Sequence, residues 1–290
     1  DEVGYVPNVT ARRLRSSKTY TVAGIIPDIT NPFYPDFERG IQDVVDGHGY
    51  DLIMYNTDGT AERERRCLDS MLQGRVDGVV GVFFHLRVPD LAALINQGIH
   101  VVRLEAMPKL PGSLPLDNIF IDNIAASQMA VEHLIEQRHM QIAMLTSHEG
   151  QARFREHGYR EALAANQLPR DDRLLSIGAF SEDGGYQAMG KLLQGDRRPS
   201  AVVAANDLMA MGAMIAIREV GLSIPHVIAV IGFDVISTAK LVFPALTTVT
   251  QFQRQLGRRA AEMLMERVKG TAPENGRSIE LPFRLVTRDS

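Results

Sequence analysis

From Thr21 to Asn56 the chain reads TVAGIIPDITNPFYPDFERGIQDVVDGHGYDLIMYN. The opening TVAGIIP is apolar without alternation, as a strand is when both its faces are covered. DFERGIQDVVDGHGY then places Phe37, Ile41, Val44 and Val45 on one helical face, and Gly47 and Gly49 end it. DLIMYN is a second strand. Apolar strands separated by a helix of this length predict a parallel pair with a helical crossover.

The same rhythm continues outward. AERERRCLDSMLQG is a helix with Cys67, Leu68, Met71 and Leu72 on its apolar side. VDGVVGVFF, DLAALINQG and IHVVRL follow as strand, helix and strand. Met107 to Asn118 is irregular, with three prolines and a glycine. The alternation then resumes from AASQMAVEHLIEQ through VIAVIGFD. QFQRQLGRRAAEMLMERVKG is a further amphipathic helix, and RSIELPFRLV reads as one further strand. The expected architecture is α/β, with two doubly wound parallel-sheet subdomains meeting near Leu116 to Asp122. The surplus helix and strand imply that the chain crosses between them again. The expected division is a linker over 1–18, a first subdomain over 19–121 plus 252–278, and a second over 122–251 plus 279–290.

Composition excludes several functions. The chain has 290 residues, is 45% hydrophobic and carries a net charge of -4, which argues against a general polyanion binder. The basic run Arg12, Arg13, Arg15 and Lys18 is therefore a local feature. A single cysteine, Cys67, builds neither a disulfide framework nor a cysteine zinc site and suits a reducing cytoplasm. No apolar run is long enough to span a bilayer, so no membrane association is expected. Gly185 to Lys191 approaches a phosphate-binding loop, but Leu192 stands where the magnesium-binding hydroxyl belongs. No zinc-protease helix, dinucleotide fingerprint or nucleophile elbow is present. We expect no catalytic residues, no metal and no cofactor.

In open α/β sheets ligands bind beyond the carboxyl ends of the strands, and two such domains make a cleft. The strand ends carry Asn31, Phe33, Tyr34, Glu105, Arg155, Phe180, Asn206, Asp234 and Gln251. Carboxylates, amides, an arginine and rings suit a neutral polyhydroxyl ligand, whose hydroxyls donate and accept while its C–H faces pack on aromatics. Each residue also has a plainer use. Asn206 or Asp207 can cap a helix, Ser181 begins one, and Phe33 and Phe180 can be core.

The residues just read resemble the lactose-repressor/galactose-repressor family of transcription regulators. GYVPNVTARRLRSSKTYTVAGIIPDITNPFY is similar to its linker and first strand, and ANDLMAMGA, VIGFD, PALTTVTQ and QLGRRAAEMLMERVKG to its second half. The resemblance covers the chain in order. It implies a periplasmic-binding-protein-like core of type I with the effector in the interdomain cleft, and a homodimer. It also implies a DNA-reading headpiece ahead of Asp1. Asn8 to Ser16 matches the hinge helix, which orders on operator DNA. Asn8, Ala11, Arg12, Arg13 and Leu14 are the implied DNA contacts, with Leu14 as a minor-groove wedge.

The ribose-binding branch of the fold has counterparts of all nine cleft residues. Ala106 stands where an arginine often follows the acidic position, which removes a donor and leaves space. Arg138 replaces a common glycine before His139. The expected function is a regulator whose operator affinity is set by a small effector, a monosaccharide or related polyol. The alternatives are a solute-binding protein for sugar uptake, the same regulator with a purine effector, and an enzyme using Glu105 and Asp234 as paired carboxylates. The basic linker and the lack of a secretion signal weigh against the first.

Overall fold

The computed structural model describes residues 18–106 and 114–290. Two six-stranded sheets organise them. The first comprises β1 (Thr21–Ile26), β2 (Asp51–Asn56), β3 (Gly78–Val82), β4 (His100–Glu105), β5 (Leu116–Phe120) and β11 (Ser278–Glu280). Its order is β2-β1-β3-β4-β5-β11, parallel throughout. The second comprises β6 (Ile142–Thr146), β7 (Leu175–Ile177), β8 (Ala201–Ala204), β9 (Ala229–Asp234), β10 (Thr247–Thr250) and β12 (Arg284–Val286). Its order is β7-β6-β8-β9-β10-β12, parallel except for β12, which runs antiparallel to β10.

Both faces of the inner strands are covered, which is why they read as unbroken apolar runs, whereas the edge strand β2 leaves Ile53 and Met54 exposed. On β1, Val22 and Ile26 face one cluster, while Ala23 and Ile25 face another. The first cluster includes Phe37 and Ile41 of α1 (Phe33–Val45) and Leu256 and Leu264 of α8 (Gln253–Val268). The second includes Met71 of α2 (Ala61–Leu72) and Leu91 and Leu94 of α3 (Val88–Asn96). The second sheet shares one core with α4 (Asn123–Glu136), α5 (Ala152–Ala165), α6 (Glu182–Gln194) and α7 (Asp207–Glu219). Helices α1 and α8 cross closely at two glycines. A methyl at Gly40 would stand 2.1 Å from the Arg254 carbonyl oxygen, and one at Gly257 2.0 Å from that of Phe37. Neither position has room for a side chain. Arg138 follows α4 with φ +69, a turn that glycine usually closes.

Three sequence expectations need correction or placement. Residues 116–118, expected to be irregular, form the start of β5, which lies between β4 and β11. Asp117 and Asn118 look like turn residues, but both are buried, and Asp117 is neutralised by Arg267 and Arg277. RSIELPFRLV is two strands in different sheets. Ile279 and Glu280, expected in the second subdomain, pair with Ile119 and Phe120 of the first sheet. Leu281 still donates its N–H to Phe120 O at 2.9 Å. Pro282, which has no N–H, then ends the ladder, so this crossing falls at 281–283. Asn8, Ala11, Arg12, Arg13 and Leu14 lie outside the described residues. Among the described residues no helix is long and apolar enough to cross a membrane.

Candidate functional site

A cavity of about 360 Å³ opens between the carboxyl ends of the two sheets. All nine residues singled out at strand ends line it. Asn31, Phe33 and Tyr34 form the turn from β1 into α1. Asn31 Oδ1 accepts the Phe33 N–H at 3.0 Å, which closes the turn and supplies the cap that Pro32 lacks. The Phe33 and Tyr34 rings meet edge to face, centroids 5.1 Å apart. Burial pushes the Tyr34 hydroxyl well above its ordinary pKa, so it enters the cleft as a neutral phenol.

Glu105 ends β4 and is paired with the buried Arg103 at 2.6 Å. Arg103 thus supplies a guanidinium beside the acid from two positions before it. Ala106 does not line the cavity. Its carbonyl accepts from Asn123 Nδ2 at 2.8 Å.

Arg155, in the first turns of α5, is buried. Its Nε donates to Asn123 Oδ1 at 2.8 Å, and its guanidinium carbon lies 3.7 Å from the Phe233 ring centroid. Its Nη2 stands 3.5 Å from Asp234 Oδ1. Gln251 Nε2 donates to the same oxygen at 2.6 Å. Burial raises Asp234 to about 6, even though Arg155 and Gln251 pull it back down. Asn206 does both jobs weighed for it. Its Oδ1 caps α7 by accepting the Met209 N–H at 2.8 Å, and the residue also faces the cleft. Ser181 caps α6 through Gly184 and lines the cavity as well.

Below this floor Asp207 is fully buried, accepting from Thr248 Oγ1 at 2.5 Å and from Ile236 N–H at 2.8 Å. Burial first, and the neighbouring Asp234 second, raise it to about 8. It therefore carries a proton at neutral pH and adds no charge beneath Asp234. The loop it anchors is strained, with φ +119 at Asp234 and φ +60 at Val235. A β-branched residue rarely occupies that region. Val235 does not line the cavity. Val235→Asn is expected to stabilise the protein by about 1 kcal/mol, read as a rise in Tm, with effector affinity unchanged.

Sequence reasoning missed Asp28, Asp58, Phe84, Asn123, Glu149 and Gln151, which also line the cavity. Asp58 and Phe84 follow β2 and β3, so the strand-end rule contained the signal for both. Asn123 follows β5, the strand that was not recognised.

A family model described as a periplasmic binding protein-like domain matches residues 131–290. The chain is 34% identical over 269 residues to the ribose operon repressor of Escherichia coli, covering 92% of this chain and 81% of that one. It is 32% identical over 292 residues to the transcriptional repressor PurR of Vibrio atlanticus, covering 100% and 86%. Among solved structures, a LacI family transcriptional regulator from Enterococcus faecium with bound ribose matches with a TM-score of 0.83 at 29% identity, covering 93% of this chain and 98% of that one. The chain belongs to the LacI family, the lactose-repressor/galactose-repressor regulators that the sequence resembles. Its two sheets are the effector-binding core of a DNA-binding transcription regulator under effector control.

Proposed function

We propose that this regulator senses a small neutral polyol, a monosaccharide, bound by the nine cleft residues, and that occupancy sets the operator affinity of a homodimer. The observation that carries this reading is the convergence of hydroxyl acceptors, donors and aromatic walls on one small cavity. Among the described residues five carboxylates line it, at Asp28, Asp58, Glu105, Glu149 and Asp234; Arg63, Arg103 and Arg155 pair with Asp58, Glu105 and Asp234, which leaves Asp28 and Glu149 as excess negative charge. That balance disfavours phosphorylated or carboxylated ligands. Glu105 and Asp234 are each engaged by a guanidinium, which favours binding over turnover.

The effector acts by its differential affinity for one arrangement of the two halves. Operator DNA, held through Asn8, Ala11, Arg12, Arg13 and Leu14 and a headpiece, is coupled to it reciprocally. Leu241 and Phe243 are 75% and 84% exposed beside α7, an apolar surface that a second copy would cover. Such a regulator works in the cytoplasm.

The test is a thermal-shift screen with neutral monosaccharides, sugar alcohols, sugar phosphates and nucleobases. A neutral monosaccharide at about a hundredfold excess over Kd should stabilise by about 2.7 kcal/mol and raise Tm by several degrees. Sugar phosphates should not. A shift with nucleobases alone would replace the sugar with a purine, which the Phe33 and Phe180 rings could stack.

A further inference from the structure

Phe84 follows β3, and its ring stands on the cavity wall. Its backbone is held in place by the buried carboxylate of Glu64. That group accepts the N–H groups of Phe84, His85 and Leu86 at 2.7, 3.0 and 2.8 Å. The next side chain reinforces the loop, with His85 Nε2 2.9 Å from Gly59 O.

The ring meets bare backbone on two sides. A methyl at Gly59, just after β2, would stand 3.3 Å from Phe84 Cδ2. One at Gly150, which lies between β6 and α5, would stand 2.8 Å from Phe84 Cζ and 3.1 Å from Cε1. Gly150 has φ +54, a conformation suited to glycine. A ring carried by the first sheet is therefore seated on the backbone of the second. It bridges the cleft where Gly59, Glu149 and Gln151 line it.

We propose that Phe84, seated on Gly150, is the size gate of the effector site and limits the ligand to one sugar or one base unit. This rests on the reading that the effector occupies this cleft. The cavity is already at the small end of ligand pockets. A ligand extending between Gly59 and Gly150 would have to unseat the ring. Because the seat joins the two halves, ring and effector favour the same arrangement.

The experiment is calorimetric titration of the parent chain and Phe84→Ala with D-ribose, D-glucose, maltose, cellobiose, hypoxanthine and inosine. The parent should bind a one-unit probe (ribose, glucose or hypoxanthine) and show no heat with its extended partner. Phe84→Ala should weaken the one-unit probe about tenfold and gain the extended one. Extended probes bound by the parent as tightly as small ones, or an unchanged profile in Phe84→Ala, would overturn the gate. Binding of hypoxanthine but of no sugar would reject the monosaccharide reading, while hypoxanthine against inosine still tests the gate.

A ligand-free cycle covers the case in which no probe binds. Gly150→Ala should lower Tm by about 2–4 °C more in the parent than in Phe84→Ala. Equal drops would mean the ring has no seat there, and the gate falls.

Discussion

Asp117→Ala is expected to cost the protein about 3–5 kcal/mol of stability, because it strands a buried arginine. Asp117 is 0% exposed on β5. Its carboxylate accepts from Arg267 Nε at 2.8 Å and Nη2 at 2.5 Å, and from Arg277 N–H at 2.8 Å and Nη2 at 2.7 Å. Arg267 is itself buried and also donates to the carbonyls of Pro273 and Asn275. This one carboxylate ties α8 and the segment leading into β11 to the strand beside them. Those are the parts of the chain that return to the first sheet after the second has been built.

Burial pushes the Asp117 carboxyl up, but the hydrogen bonds from Arg267 and Arg277 outweigh it and leave the group below its ordinary value. A depressed carboxylate stabilises the fold above its unfolded pKa, and that contribution fades as pH falls through the folded value. Urea unfolding should therefore show the parent losing stability below about pH 4. Asp117→Asn should start lower and lose less over the same range. Parallel pH profiles for the two proteins would show that the network contributes nothing through charge.

The strand-end residues were legible because parallel strands buried on both faces are apolar throughout, so their ends are marked by the first polar residue. That rule located Glu105, Asn206, Asp234 and Gln251 without any knowledge of three-dimensional contacts, whereas after β1 the first polar residue is Asp28, a cavity residue passed over in favour of Asn31. It failed at β5, where Asp117 sits in the sheet only because Arg267 and Arg277 reach it from the far end of the sequence. No local pattern records such a partner. Losing β5 also hid Asn123, which fixes Arg155 through a 2.8 Å hydrogen bond. Pro282 was visible, but its consequence was not, since the strands on either side of it are only three residues each. Phe84 read as the last residue of an apolar strand. Its place across the cleft depends on a glycine in the other half, which strand periodicity does not encode.

Asp234→Ala should weaken effector binding by at least about a hundredfold. Asp234 is 4% exposed, and its Oδ1 already accepts from Gln251 and faces Arg155. A ligand hydroxyl donating to this carboxylate makes a charge-assisted bond, typically worth about 1.5–3 kcal/mol. Removing the acid also leaves the buried Arg155 guanidinium without its counter-charge, so the loss exceeds that of one bond.

The same group sets a pH dependence of opposite sign to that of Asp117. Burial raises Asp234 to about 6 despite Arg155 and Gln251. In the ligand-free protein, ionising it within the fold is unfavourable, so its contribution to stability is greatest below the unfolded value and lost as pH rises through about 6. Effector binding needs the ionised acceptor, so affinity should be full at pH 7 and fall toward tenfold per pH unit below about 6. The effector-induced rise in Tm should therefore shrink between pH 7 and pH 5. Asp234→Asn should bind weakly with a flat profile over that range. A parent profile as flat as that of Asp234→Asn would show that the ligand does not use the Asp234 carboxylate. The recognition would then fall to Glu105, the acid that Arg103 holds across the cleft.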